Sequence, residues 1–197
     1  MKLLAYEVDK RSFLGIFNED ETWVYPISAA GMEYRSMKDL IREAGPSEME
    51  MLDYISKKAP GDVTGAAPVE EIKIVSPIPE PDQDIICLGI NYMDHAAESA
   101  RFQKEEFARP EKAIYFSKRV NRTNDPDGII PAHKNLTNQL DYEAELAVII
   151  KKDAKDVKPE EVKDYIFGYT IMNDVSAREV QTEHKQWYFG KSLDGFT

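Results

Sequence analysis

Three carboxylates recur at every second position of the stretch QLDYEAELAVII, residues 139–150: Asp141, Glu143 and Glu145. In a β-strand, residues two apart share a face, so the three side chains are predicted to point the same way. Both faces turn apolar after Glu145, which predicts carboxylates near the rim of a buried strand. Carboxylates packed this closely repel one another unless a cation holds them, and a hard cation such as Mg2+ prefers oxygen ligands. The alternative is a solvated edge strand, which this stretch alone favours.

A further carboxylate, Asp174, follows another apolar strand in YTIMNDVSARE. A third carboxylate at a strand end would complete a set of protein ligands on one side of a cation, leaving positions open for a bidentate substrate. The alternative is that Asp174 caps a helix formed by SAREVQ.

Two more short stretches contain residues that could do chemistry. In GINYMDHAAES, His95 and Glu98 lie three apart, so on a helix they would share a face and form a general base with its orienting carboxylate. In WYFGKSLDGFT, Lys191 follows a glycine among aromatic residues, where it could place positive charge beside a substrate carboxylate or enolate. The alternatives are an exposed helical His–Glu pair and a solvated lysine.

The elements around these residues predict two domains. The first, residues 1–77, is predicted as a small α+β domain, and prolines at 77, 79 and 81 mark its boundary. Its predicted elements are strands at 4–8, 12–17 and 22–27, a helix from Ser36 to near Gly45, and a helix at 47–58 with Ser47 as N-cap and Glu50 at capping-box spacing.

Residues 78–197 are predicted as a β-rich domain with helical decorations. The apolar runs IICLGI and LAVII predict buried strands, and Cys87 within the first run is predicted to be a buried structural thiol. Pro159, in DVKPEEVKD, suits the first position of a short helix.

Composition limits the classes of function. The chain has 197 residues, 42% of them hydrophobic, and a formal charge of -11 from 36 acidic and 25 basic residues. This charge argues against nonspecific binding to nucleic acid or to an anionic membrane. The single cysteine excludes an internal disulfide and fits a reducing compartment. Neither a signal peptide nor a membrane span is recognisable in the sequence, so a cytoplasmic location is predicted.

The same stretches, taken together, resemble the fumarylacetoacetate hydrolase family. The matching segments are LGINYMDHAAES, AIYFSK, LDYEAELAVII, FGYTIMNDVSAREVQ and GKSLDGF, which cover the chain from about Ile85 to its end. The resemblance implies a β-rich α+β fold, a mixed β-sandwich roll preceded by a smaller N-terminal α+β domain, and a homodimer. Members of the family continue past the lysine segment, so the roll is expected to be truncated in this chain.

Carried over by position, the resemblance implies a role for each candidate residue. It makes Glu143, Glu145 and Asp174 the ligands of Mg2+ (or Mn2+), His95 and Glu98 the dyad on a lid, Lys191 the electrostatic partner of the reacting oxygen, and Gln181 a polar contact to substrate. Asp141 matches no ligand position, so we expect it beside the ligands or at the surface.

The implied function is metal-dependent chemistry on small 2-oxo acids and their enols. The first expectation is carbon–carbon bond hydrolysis of the acylpyruvate or fumarylacetoacetate type, or decarboxylation. One alternative is an isomerase or decarboxylase of hydroxymuconate-type dienoates in aromatic catabolism. Another is an inactive fragment or binding module that retains the carboxylate cluster.

Overall fold

The computed structural model describes residues 1–89, 91 and 112–197, and these residues form two compact units. The first unit contains Met1–Pro79, Thr123–Ile129 and Glu145–Met172, and the second contains the described residues of Glu80–Arg122, Ile130–Ala144 and Asn173–Thr197. Compactness alone does not define a folding domain, so the domains 1–77 and 78–197 stay a prediction. No helix in the described part of the chain is long and apolar enough to cross a membrane.

A five-stranded sheet dominates the first unit. Its strands are β1 (Leu3–Val8), β2 (Arg11–Phe17), β3 (Trp23–Pro26), β4 (Ala67–Pro68) and β5 (Lys73–Val75), in the order β4-β3-β2-β1-β5. All neighbours in this sheet pair antiparallel. The turn from β1 to β2 holds Asp9 and Lys10 at positive φ, as a two-residue hairpin turn requires. The predicted N-terminal strands are confirmed, with ends shifted by one residue.

Two helices cover this sheet: α1 (Met37–Glu43) and α2 (Pro46–Ser56). The Ser36 side chain accepts the Asp39 backbone N–H and caps α1, which confirms the predicted start of this helix. The predicted cap of α2 is wrong, because α2 begins earlier: Gly45 is its N-cap and donates its N–H to Glu48 Oε2 at 2.8 Å. Ser47 and Glu50 therefore lie inside the helix. The core residues between helices and sheet include Ile16, Tyr25, Leu40, Leu52 and Ile55.

A second, two-stranded sheet in the first unit pairs β9 (Ala144–Ile150) with β10 (Ile166–Asn173), apart from their terminal residues at the unit border. The prediction that β9 is buried on both faces is wrong. Ile149 packs against the core, but Leu146 is 60% exposed and Ile150 52% exposed, because they alternate onto the opposite face. Short 3-10 helices lie at Ile27–Ala30, Pro60–Asp62, Val69–Glu71 and Pro159–Asp164, the last with Pro159 at its first position as predicted.

In its described residues, the second unit consists of short antiparallel strand pairs and two helices. β6 (Ile85–Leu88) pairs with β7 (Tyr115–Lys118), and β8 (Leu140–Asp141) pairs with β11 (Ser176–Ala177). The helices are α3 (Arg178–Glu183) and α4 (Trp187–Lys191). Val175, Ala177, Val180 and Phe196 form its buried core.

Two strand predictions for the second unit need correction. The apolar run of β6 is not buried, since Ile86 is 74% exposed and Cys87 is only half-buried. The acidic stretch is not one strand: it breaks at Tyr142 and Glu143, because β8 pairs with β11 whereas β9 pairs with β10. Each part follows a different partner strand.

Candidate active site

Strand pairing in the second unit brings Glu143 and Asp174 side by side. Asp141 on β8 lies opposite Ser176 on β11. Next to this pair, the Asp174 N–H donates to the Glu143 carbonyl at 2.8 Å, and the Glu143 N–H donates to the side-chain oxygen of Asn173 at 3.1 Å. The backbone positions of both carboxylates are thus fixed by hydrogen bonds.

Asp174 is almost fully buried and has two lysine partners. Its Oδ1 accepts from Lys118 Nζ at 2.6 Å, and its Oδ2 accepts from Lys191 Nζ at 2.9 Å. The Lys118 ammonium, which is 0% exposed, also donates to the Val175 carbonyl at 3.1 Å. Burial lowers the pKa of Lys118, and the charge of Asp174 acts against that shift. Since a buried charge is costly without a partner, each of these groups depends on the others.

The Lys191 ammonium lies between two carboxylates. Besides Asp174, it donates to Glu143 Oε2 at 2.5 Å, and only 3% of the residue is exposed. Its Nζ lies 5.3 Å from the centre of the Phe116 ring, which in turn meets Trp187 edge-on at 5.4 Å. The predicted aromatic setting of Lys191 is confirmed, whereas the alternative of a solvated lysine is not.

Arg178, the first residue of α3, holds the other side of Glu143. Its Nη2 donates to Glu143 Oε1 at 2.5 Å, and its Nε and Nη2 contact Asp141 Oδ2 at 2.9 and 2.7 Å. Its Nη1 donates to the Gln181 side-chain oxygen at 3.0 Å. The alternative that Asp174 caps this helix is not realised, since Ala177 occupies the N-cap position.

These contacts form one continuous chain of alternating charge, which we call the charge network. It runs through six side chains in the order Asp141, Arg178, Glu143, Lys191, Asp174 and Lys118. Its exposure falls from 46% at the Asp141 side chain to 0% at Lys118. The network therefore extends from the surface to the interior of the second unit.

Gly190 allows α4 to approach α3 closely enough to support this arrangement. A Cβ at this position would lie 2.6 Å from the Gln181 backbone nitrogen and 2.9 Å from the Ala177 carbonyl oxygen. Backbone atoms cannot yield to such a contact, so only glycine fits between the two helices. The glycine that precedes Lys191 in the sequence thus has a packing role.

Comparison with known proteins identifies the family. The family description "Fumarylacetoacetate (FAA) hydrolase C-terminal" matches residues 84–197. The chain belongs to the fumarylacetoacetate hydrolase family. The resemblance stated from the sequence is confirmed, and so are the β-rich α+β fold class and the roll of the C-terminal domain.

Among its relatives is the oxaloacetate tautomerase YisK of Bacillus subtilis, 42% identical over 204 residues, which cover 98% of this chain and 66% of that protein. A solved fumarylacetoacetate hydrolase from Exiguobacterium antarcticum is 31% identical with a TM-score of 0.71, covering 100% of this chain and 63% of its own. The 5-carboxymethyl-2-hydroxymuconate delta-isomerase of Mycobacterium smegmatis, 23% identical with a TM-score of 0.64 and matched over 100% of this chain and 63% of its own, shares the fold. The chain thus spans just under two thirds of the length of these three proteins.

The structure brings together most of the residues that the family resemblance marked. Glu143, Asp174 and Lys191 are in direct contact, and Gln181 is connected to Glu143 through a shared arginine. Glu145 lies half-buried on β9 in the first unit. His95 and Glu98 lie outside the described residues, so the dyad stays a prediction.

Sequence reasoning missed two charged residues of the site, Lys118 and Arg178. Lys118 ends the segment AIYFSK, and Arg178 lies four residues after Asp174, so both fall inside stretches that carried the family resemblance. A lysine at the end of an apolar strand indicates a side chain that is buried with a charged partner, and this pattern could have marked Lys118.

The fit of a divalent cation depends on these carboxylates. Glu143 and Asp174 offer oxygen donors, the type that Mg2+ and Mn2+ prefer. In the described part of the chain, no group of three or more His, Cys, Asp or Glu side chains is placed to hold a metal ion. Lys191 Nζ bridges the two carboxylates, so a cation binding both would compete with this ammonium. The oxygen atoms of Glu143 and Asp174 are thus suitable ligands for a divalent cation. The full predicted ligand set of Glu143, Glu145 and Asp174 stays a prediction.

Proposed function

We propose that the protein interconverts the keto and enol forms of oxaloacetate. The support from comparison is the 42% identity to the oxaloacetate tautomerase of Bacillus subtilis. The observation that carries the proposal is the Lys191 ammonium, buried between Glu143 and Asp174. Of its three N–H donors, two are directed at these carboxylates, which leaves the third for a substrate oxygen in the described part of the site.

Tautomerisation moves one proton from carbon C3 of oxaloacetate to the oxygen on C2, through an enolate whose charge lies on that oxygen. Lys191 would donate its remaining N–H to the enolate oxygen, where a dry environment strengthens the interaction. Glu143 and Asp174 orient the ammonium through these two hydrogen bonds. A divalent cation held by Glu143 and Asp174 would add Lewis-acid stabilisation of the same charge, and Lys191 would then give up one of these two carboxylates to it.

Two predicted groups complete this proposal. Gln181 would hold a substrate carboxylate or carbonyl through its side-chain amide, since Arg178 fixes its oxygen and leaves its NH2 group to donate. His95, oriented by Glu98, would be the base that takes the C3 proton and passes it to solvent, which protonates the enolate oxygen on C2. As predicted from the sequence, the protein would act as a cytoplasmic homodimer on a small-molecule substrate.

The test is the rate of enol loss from freshly dissolved oxaloacetate, followed by ultraviolet absorbance with Mg2+ or Mn2+ present. We expect acceleration by the protein, a fall of about 100- to 1000-fold for Lys191→Met, and little change for Lys112→Met, an exposed lysine of the same unit. No acceleration over the buffer rate, or full activity in Lys191→Met, would contradict the proposal.

A second candidate is carbon–carbon bond hydrolysis, favoured by the 31% identity to the Exiguobacterium antarcticum hydrolase. Here His95 would deprotonate a water that attacks the distal carbonyl of an acylpyruvate, and the enolate would leave toward Lys191. Release of a carboxylic acid from an acylpyruvate would indicate hydrolysis, and release of pyruvate from oxaloacetate would indicate decarboxylation. Tautomerisation gives neither product. Metal binding without turnover of any 2-oxo acid would favour a binding module.

A further inference from the structure

Asp141 is the acid that the family pattern left without a role, although it stands in the same alternating stretch as Glu143. Its two oxygens have different partners: Oδ1 accepts the Tyr142 N–H at 3.0 Å, and Oδ2 accepts from Arg178. Its backbone is fixed by the pairing of β8 with β11. Asp141 is therefore a rigidly placed acceptor rather than a mobile surface acid.

Arg178 is anchored by this acceptor and directs its remaining donors toward the site. The Arg178 backbone N–H donates to the Gln139 carbonyl at 2.9 Å, so both ends of the residue are bound to β8 and its flank. With Nε and Nη2 on Asp141, the plane of the guanidinium is fixed. In that plane Nη2 reaches Glu143 and Nη1 reaches Gln181.

We propose that Asp141 is a positioning residue that acts through Arg178 to hold Glu143 and Gln181 in their working orientations. Arg178 and Lys191 grip opposite oxygens of Glu143, so the carboxylate cannot turn without breaking a charge-assisted hydrogen bond. Partners of this kind, one contact away from the reacting groups, typically change affinity or activity when they are lost.

The position of the Asp141–Arg178 pair distinguishes this role from a structural one. The Asp141 side chain is 46% exposed and that of Arg178 is 34% exposed, so solvent screening makes the pair a weak contributor to folding stability. Loss of the pair should thus leave the fold intact while loosening Glu143 and Gln181.

The first test is the NMR signal of the Arg178 Nε–H in the 197-residue chain. In the unmodified chain we expect a downfield, slowly exchanging proton. Asp141→Asn should move it upfield and speed its exchange, Asp141→Glu should restore it in part, and Asp84→Asn, at an exposed acid of the same unit, should leave it unchanged. An unaltered signal in Asp141→Asn overturns the proposal.

The second test is turnover, and it rests on the proposed tautomerase function. We expect kcat/KM to fall about 10- to 100-fold in Asp141→Asn, to recover in part in Asp141→Glu, and to fall similarly in Arg178→Lys, which keeps the charge but loses the planar fork. The double variant Asp141→Asn, Arg178→Lys should lose no more than either single variant, because the two residues act in series.

The two tests fail in distinguishable ways. If the unmodified protein turns over no 2-oxo acid, the proposed function fails, whereas the NMR signal still decides whether Asp141 orients Arg178. If the protein is active and Asp141→Asn stays within twofold of Asp84→Asn, or the double variant shows additive losses, the positioning role is overturned. Thermal unfolding identifies any variant that fails to fold. If Asp141→Asn is such a variant, the activity of Asp141→Glu decides whether Asp141 has the positioning role.

Discussion

The buried end of the charge network gives a quantitative prediction for Lys118→Met. The Lys118 ammonium is 0% exposed and lies 2.6 Å from Asp174 Oδ1. With charge centres about 4 Å apart and an effective dielectric constant of about 20, the attraction is about 4 kcal/mol. Lys191 still pairs with Asp174 after the substitution, so part of that attraction is retained. We expect the free energy of unfolding to fall by about 2–3 kcal/mol, which is less than the roughly 3–5 kcal/mol typical of a buried charge that has lost its only partner.

Removing the other partner should cost more. Asp174→Asn leaves Lys118 with the Val175 carbonyl and a neutral amide, and burial already lowers the pKa of Lys118. We expect about 3–5 kcal/mol for this variant. In the double variant neither Lys118 nor Asp174 remains as an unpaired buried charge. Its loss of unfolding free energy should therefore be smaller, by about 2–3 kcal/mol, than the sum of the losses in the two single variants.

The assay is urea unfolding at neutral pH, read by the fluorescence of Trp187, which belongs to the same unit as Lys118. A Trp23→Phe background removes the other tryptophan of the chain. Lys112→Met is the matched control, with an expected change within about 0.5 kcal/mol. A Lys118→Met variant as stable as this control would refute the predicted role of the Lys118–Asp174 pair. So would a double variant in which the losses of Lys118→Met and Asp174→Asn simply add.

Two further predictions concern other parts of the chain. In Gly89→Ala the new Cβ would lie 2.0 Å from the Trp187 ring, so we expect about 1–3 kcal/mol of destabilisation and altered fluorescence, whereas Gly61→Ala, with open space around it, should fold normally. The Tyr34 hydroxyl, above all, lowers the pKa of Glu48, so the stability that Glu48 contributes is present at neutral pH and lost as pH falls through that lowered pKa. Tyr34→Phe should move the pKa of Glu48 back toward its ordinary value in a carbon-detected NMR titration, and an unchanged titration would contradict this.

The local pattern predicted the alternating burial of the three acids but not how the strand that carries them is divided. The alternation of Asp141, Glu143 and Glu145 indicates a shared face, and all three side chains are indeed half-buried between exposed neighbours. The break at Tyr142 arises because the two halves pair with different strands, β8 with β11 and β9 with β10. Such a choice of partner depends on tertiary structure, which the period of the stretch does not encode.

Lys118 and Arg178 escaped prediction for a similar reason. Lysine and arginine are mostly solvated, so their burial becomes evident only when their partners are known. Lys118 lies 56 residues from Asp174, and Arg178 lies 35 from Glu143. By contrast, the start of α2 could have been predicted, since Pro46 is well suited to the first turn of a helix that Gly45 caps.

The charge balance of the network bears on which substrate and cofactor can enter together. Its three carboxylates and three cationic side chains cancel when all are ionised. Oxaloacetate would add two negative charges, and the enolate a third, next to groups such as Lys191 that are 3% exposed. Uncompensated charge in so dry a place is costly. A divalent cation would offset the two carboxylates and leave the enolate charge to the Lys191 N–H. With the same cation bound, a 2-oxo acid with one carboxylate would be neutralised together with its enolate charge, whereas the enolate of a dicarboxylate would keep one uncompensated negative charge. The hydrogen bond from Lys191 should therefore matter most for a dicarboxylate substrate.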